Sequence, residues 1–224
     1  MKVPLKWLED FVTVEVPVAE LAERLTFAGL EVEDVTEVGA DWDREKVLVG
    51  EVTGVRRHPD ADKLTLVTVV FGGDPLEMVT GAPNITVGMS GVKVPVALVG
   101  AKLRDGKGGD GMITLKPAKI RGVRSEGMVC SERELGLSEE HGGIMILPDD
   151  APVGTPLRDY LGDTVVAMDL TPNLSYCLSL AGVAREVHAL GAGRLKERPP
   201  EFVEEGSPVD DLVAVSIDDA GRCP

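Results

Sequence analysis

The sequence predicts an α+β fold: a small discontinuous α/β domain, formed by both ends of the chain, interrupted by an inserted all-β barrel or sandwich. Three observations predict it. Helical periodicity is confined to the flanks, the middle is a series of short β-rich runs separated by turn signals, and the charge balance changes at both junctions. From Asp41 to Asp150 there are 14 Lys+Arg against 17 Asp+Glu, leaving 9 against 21 for the two flanks together. A nearly neutral unit therefore sits inside an acidic frame. The 224 residues have room for two modest domains, and 43% hydrophobic with only 4% aromatic residues supply cores of aliphatic side chains.

In chain order, residues 1–40 begin the α/β domain. Pro17 suits a first helical turn, Val18, Leu21, Ala22 and Leu25 fall on one face, and Gly29 is placed to end the helix in a left-handed cap. A strand from Leu30 to Val38 follows, with Val32 and Val35 toward its apolar side. One helix and one strand enclose no core, so this segment needs a partner. Residues 41–150 carry the β-rich runs Val47 to Val55, Leu64 to Phe71, Leu76 to Thr80, Val92 to Val99 and Met112 to Ile120. Turn signals such as His58-Pro59-Asp60, Gly72-Gly73-Asp74, Ala82-Pro83-Asn84 and the Gly-rich Asp105 to Gly111 separate them. Such spacing suits a small barrel and a sandwich equally.

Residues 151–193 supply the missing partner. A strand is expected at Val165 to Leu170, a turn at Thr171-Pro172-Asn173, and a helix from about Cys177 to Leu190 with Leu180, Ala184 and Val187 on its apolar face and Gly191 closing it. Residues 194–210, with Pro199-Pro200 and Gly206-Ser207-Pro208, read as a linker. Residues 211–224, with a strand at Leu212 to Ile217, read as the start of a further domain of a longer polypeptide.

Composition excludes several classes. No apolar run approaches the roughly 20 residues that span a bilayer, and no apolar h-region stands behind the charges of Lys2 and Lys6, so a cytoplasmic protein without a membrane partner is expected. Cys130, Cys177 and Cys223 are odd in number and far apart, which favours reduced thiols over a disulfide frame or a zinc site. A formal charge of −15 argues against indiscriminate coating of nucleic acid, and DNA is not an expected partner. Gly106 to Gly111 lacks the Gly-Lys-Ser/Thr ending of a phosphate loop, and Trp42, Phe71 and Tyr176 are too scattered for base stacking.

One stretch runs against the acidic trend. Met112 to Ser125 contains Lys116, Lys119, Arg121 and Arg124 and no acidic residue. With Ala118 to Gly122 extended, Lys119 and Arg121 project to one side about one phosphate spacing apart. The plain alternative is a solvated basic face that discourages aggregation. His58, Asp60 and Asp62 alternate like metal ligands, but Pro59 and the Asp-Ala-Asp pattern suit a structural turn. Cys130, Ser131 and His141 carry no legible oxyanion motif, so a buried thiol beside Met128 is the expectation there.

The middle unit also resembles the tRNA-binding domain family found in synthetases and synthetase-associated proteins. The segments that carry the resemblance are His58-Pro59-Asp60-Ala61-Asp62-Lys63-Leu64, Thr80-Gly81-Ala82-Pro83-Asn84, Lys119 to Met128, Cys130-Ser131-Glu132 and Glu134-Leu135-Gly136-Leu137, in the family's order. The resemblance implies an OB-type barrel over roughly Trp42 to Asp150. Turns of such barrels commonly carry oligonucleotide contacts. Lys63 and Asn84 therefore join Lys116, Lys119, Arg121, Arg124 and Ser125 as candidate tRNA-binding residues. Their plain alternatives are a cation neutralised by Asp60 or Asp62, and a turn-forming amide.

The flanks look like the bacterial phenylalanyl-tRNA synthetase β subunit. Val3-Pro4-Leu5-Lys6-Trp7-Leu8, Phe27 to Glu33, Thr171-Pro172-Asn173, Cys177-Leu178-Ser179 and Gly182 to Val187 carry this likeness. It implies a fragment without catalytic or metal site of its own, acting in a ligase whose separate α subunit uses ATP and Mg²⁺ to charge tRNA(Phe) within an (αβ)₂ heterotetramer. It also implies that Asp218 to Pro224 leads toward an editing domain. The sequence departs from that family at Leu174 and Tyr176, where Arg and then Asp are usual, so an acidic cap or ion pair is not expected at this turn. Two other functions stand beside this one: a free-standing tRNA-binding protein, and a pure assembly module.

Overall fold

The computed structural model describes residues 1–106, 111–197, 203, 205–206, 209, 212–219 and 221–222. Along the chain run β1 (Lys2–Pro4), α1 (Leu5–Leu8), β2 (Val12–Val14), α2 (Val18–Phe27), β3 (Glu31–Val38), β4 (Val47–His58), β5 (Ala61–Val70), β6 (Leu76–Thr80) and β7 (Lys93–Leu98). There follow β8 (Lys102–Arg104), β9 (Met112–Thr114), β10 (Ala118–Ile120), β11 (Val123–Ser125), β12 (Gly127–Val129), α3 (Glu132–Leu135), α4 (Leu157–Leu161) and β13 (Asp163–Asp169). A 3₁₀ turn (Pro172–Leu178), α5 (Leu180–Ala189) and β14 (Gly193–Leu195) complete the order. Strands dominate and helices are few. Among the described residues no helix is long and apolar enough to cross a membrane.

The two ends of the chain share one core. Leu21 and Leu25 of α2 are buried in the same cluster as Val183, Ala184 and Val187 of α5, with Val3, Val12, Val166 and Met168 from the strands and Leu30 just before β3 around them. β13 is the middle strand of an antiparallel sheet ordered β1-β13-β3, and β14 pairs with β2. Burying one such Leu or Val contributes about 1.5–3 kcal/mol, which neither end obtains alone. α2 ends as its sequence predicts. Gly29 takes φ 97°, and the N–H groups of Gly29 and Leu30 donate to Thr26 O at 3.0 Å and Leu25 O at 3.0 Å, a Schellman arrangement. Val32 packs on the core, whereas Val35 remains 39% exposed.

Between these ends lies a nearly closed, barrel-like sheet ordered β12-β7-β4-β5-β6, consistent with an OB-type domain. Its edge strands meet, for a Cβ on Gly127 of β12 would lie 3.0 Å from Met78 Cε of β6. The central strands are covered on both faces. Val94 and Val96 of β7 point into the barrel with Val52, Val67, Val69 and Met78, while Ala97 joins an outer layer with Val47, Val49, Trp42, Leu135 and Leu157. Period-two alternation therefore yields a continuous apolar run in β7, because each parity has its own core. The Trp42 indole N–H donates to Leu135 O at 2.9 Å, so this large ring is buried without an unsatisfied donor.

Four expectations change. The run Met112 to Ile120 is not one strand: β9 pairs with β8, Pro117 intervenes, and β10 pairs with β11. The helix expected from Cys177 begins after a 3₁₀ turn, at Leu180, because the Ser179 hydroxyl accepts the Gly182 N–H at 3.1 Å as a cap. The expected linker start is structured, since Gly193–Leu195 pairs with Val12–Val14 and the Lys196 N–H donates to Phe11 O at 2.8 Å. Residues 212–217 form no strand; Leu212, Val213, Val215 and Ile217 are exposed, and no neighbouring strand among the described residues pairs with them. Part of the Gly-rich loop (107–110), Pro199-Pro200, Ser207-Pro208 and Cys223-Pro224 lie outside the described residues.

Candidate nucleic-acid interface

The basic stretch folds as a short hairpin. Ile120 pairs with Val123, leaving Arg121 and Gly122 as a two-residue turn with φ 46° and 89°. Two left-handed residues are the signature of a type I′ turn, whose twist matches that of the flanking strands. Gly122 enters this region freely, whereas Arg121 is the one described non-glycine residue with positive φ, at a cost of about 1–2 kcal/mol. The turn overturns the expected extended run: the strand stops at Ile120, so Lys119 and Arg121 do not alternate along one edge.

A different pair of cations is brought together. Lys119 stands directly opposite Arg124 across the hairpin, with Cβ atoms about 4.5–5.5 Å apart. Both are exposed, as are Arg121 and Lys116, the latter in the loop between β9 and β10. Arg124 is paired with Glu126, its side chain remaining 73% exposed. Like charges facing one another are mutually repulsive, and an anion bridging them removes that repulsion.

His58 fastens this hairpin to the barrel. The ring is 4% exposed. Its Nδ1 accepts the Asp60 N–H at 3.0 Å, and its Nε2 lies 3.1 Å from Ile120 O. A nitrogen that accepts at Nδ1 leaves the proton on Nε2, which therefore donates to Ile120 O. His58 ends β4 and Asp62 lies in β5, so Pro59 and Asp60 alone make the turn between them, and the imidazole is occupied by backbone on both sides. Lys63, exposed on β5, follows directly from this turn.

Two candidates face inward or are engaged. The Ser125 hydroxyl is buried, accepting the Val79 N–H at 3.2 Å and donating to Gly127 O at 3.0 Å, which stitches the hairpin base to β6. The Asn84 amide donates to Ile144 O at 2.8 Å and accepts the Ile144 N–H at 2.9 Å, pinning its loop to a segment 60 residues away. Both roles depend on long-range partners that spacing does not disclose. His58 was legible as a turn residue, but its bond to Ile120 was not. Cys130 is fully buried with Sγ 3.8 Å from Met128 O, and burial first, then the Glu134 carboxylate, push its thiol far above the ordinary range. At the departing turn, Leu174 packs against the terminal core and the Tyr176 hydroxyl donates to Glu186 Oε1 at 2.5 Å.

Residues 47–156 match the family model described as "Putative tRNA binding domain". Over its whole length the chain is 46% identical to the phenylalanine–tRNA ligase β subunit of Dehalococcoides mccartyi, covering 27% of that protein. It is likewise 46% identical to the β subunit of Geobacter sulfurreducens, again covering 27% of it. Over 85% of the chain it is 50% identical to that of Ralstonia nicotianae, covering 23%. The chain thus spans about a quarter of the length of the curated relatives it matches, at their N-terminal part. A solved MetRS related protein from Pyrococcus horikoshii is similar at 26% identity over 49% of this chain and 86% of its own, with a TM-score of 0.35.

Proposed function

Because the chain belongs to the phenylalanine–tRNA ligase β-subunit family, we propose that it is a non-catalytic, tRNA-binding N-terminal part of such a ligase, and that the β10–β11 hairpin faces the RNA backbone. The observation that carries the RNA-facing part is the cross-strand pair of Lys119 and Arg124 on an exposed hairpin, inside a stretch with four cations and no acid. Lys116, Arg121 and Lys63 extend the same cationic set. Phosphate oxygens are suited to bridge such pairs, and the scarcity of exposed rings on the barrel favours reading of backbone and shape over base stacking. Ser125 and Asn84 contribute by holding strand and loop in place.

In the whole enzyme, the α subunit charges tRNA(Phe) with phenylalanine using ATP and Mg²⁺, and α and β assemble in the cytoplasm as an (αβ)₂ heterotetramer. Residues 1–40 and 151–193 act as one discontinuous domain that helps hold the assembly, with the OB-type unit of 41–150 inserted in it. The chain beyond β14 and Lys196, up to residue 210, links to a following editing domain that starts within 211–224. The shared terminal core supports this division.

Titration of the 224-residue chain with tRNA at several salt concentrations tests the proposal. Binding must weaken as salt rises, with a slope of about 0.9 per phosphate engaged. Absence of binding at low salt rejects it in favour of a pure assembly module, and failure to co-purify with the α subunit favours a free-standing tRNA-binding protein.

A further inference from the structure

The β10–β11 hairpin pairs only with itself among the described strands, so its attachment to the barrel rests on a few contacts. Two are polar side-chain anchors. Ser125 binds its base to β6, and His58 binds Ile120, the residue immediately before the turn. These anchors differ in kind. Ser125 lies beside the barrel seam and keeps that seam closed, whereas His58 reaches from the end of β4 across 62 residues of sequence to the tip of the hairpin. Its ring also bonds Asp60, two residues before the exposed side of Asp62 and Lys63 begins. One imidazole therefore sets the spacing between the turn that leads to Lys63 and the strand that carries Lys119.

We propose that His58 is a positioning residue for RNA binding: by accepting the Asp60 N–H and donating to Ile120 O, it holds the basic hairpin beside the Lys63 turn so that cations from both engage one RNA backbone together. This rests on the hairpin facing RNA. His58 touches no phosphate itself, being 4% exposed. Its effect is on how many cations act at once, because a hairpin released at its tip presents Lys119, Arg121 and Arg124 in varying positions relative to Lys63. The carbonyl of Ile120 needs a donor at the Nε2 position and the Asp60 N–H needs an acceptor at the Nδ1 position. Asparagine reaches the second site and glutamine the first, so the two bonds can be removed separately.

The test uses the full 224-residue chain and unfractionated tRNA, with affinity measured across salt concentrations. His58→Asn, which keeps the Asp60 bond and loses the Ile120 bond, is expected to bind about 3- to 10-fold more weakly at low salt, with a salt slope smaller by about 1–2. His58→Gln, which restores a donor for Ile120, is expected to bind within about 2-fold of the parent with the parent's slope. Adding Lys119→Ala must cost less in the His58→Asn chain than in the parent, since the lysine is already misplaced there. An unchanged slope in folded His58→Asn overturns the proposal while leaving tRNA binding intact. So does a reduced slope in folded His58→Gln, which decides the matter even where His58→Asn fails to fold. A parent chain that shows no salt-dependent binding overturns the RNA-facing reading, and this inference with it.

Discussion

At Ser125 a single hydroxyl satisfies two backbone groups, the Val79 N–H and the Gly127 carbonyl, where the barrel sheet closes. Ser125→Ala removes both partners and leaves the Val79 donor buried. Such orphaned donors cost about 1–3 kcal/mol, so urea unfolding should shift by that amount while the salt slope of tRNA binding stays as in the parent. A lost slope with unchanged stability would instead make Ser125 a contact residue. Cys130 carries a pH signature. Because burial raises its folded thiol while the unfolded thiol titrates near about 8.5, stability is full below that pH and declines as pH rises above it, by up to about 1.4 kcal/mol per unit. Cys177 is shifted in the same direction by burial. Urea midpoints measured across that range should therefore fall on the alkaline side, and Cys130→Ala should flatten the fall.

The hairpin joins two demands that conflict at one residue. A type I′ turn favours Asn-Gly, yet this turn is Arg121-Gly122, with Arg121 at φ 46°. Arg121→Asn should raise stability by about 0.5–1 kcal/mol, because asparagine tolerates the left-handed region. If Arg121 engages RNA, the same change should lower the salt slope of binding by about 1. A thermal melt and a tRNA titration on one variant therefore separate scaffold from function; a variant more stable and equally salt-dependent would remove Arg121 from the binding set. The elements also show what sequence periodicity conveys. The α2 and α5 faces and the Gly29 cap were legible because their signals lie within one or two turns of the residues they act on. The basic stretch was legible as charge but not as geometry. A single extended run and a two-residue hairpin differ only in the conformation of Arg121 and Gly122, and Arg is an unusual choice there. The roles of Ser125, Asn84 and His58 were hidden because their partners lie 46, 60 and 62 residues away.

Across the whole molecule, α4 joins the barrel to the terminal core. Although the expected boundary falls at residue 150, Leu157 of α4 is fully buried in the outer layer of the barrel, and the Val49 N–H donates to Thr155 O at 2.9 Å. The same helix runs through Gly162 directly into β13, the central strand of the terminal sheet. From the other side, Lys6 Nζ donates to Asp159 O at 2.9 Å and Tyr160 O at 3.2 Å, and the Lys6 N–H donates to Asp163 Oδ1 at 3.1 Å. A helix buried in one core and tied by its last turn to the other transmits loss of packing between them. The two units should therefore unfold together. In a Trp7→Phe chain, fluorescence of the buried Trp42 reports the barrel, and far-ultraviolet ellipticity reports chiefly α2 and α5; their urea midpoints should coincide. Leu157→Ala should cost about 2–5 kcal/mol through the cavity it leaves, and it should lower both midpoints equally. Separate midpoints in the Trp7→Phe chain, or a Leu157→Ala shift confined to the Trp42 signal, would mean that the barrel is an independent unit and that α4 is only its last turn.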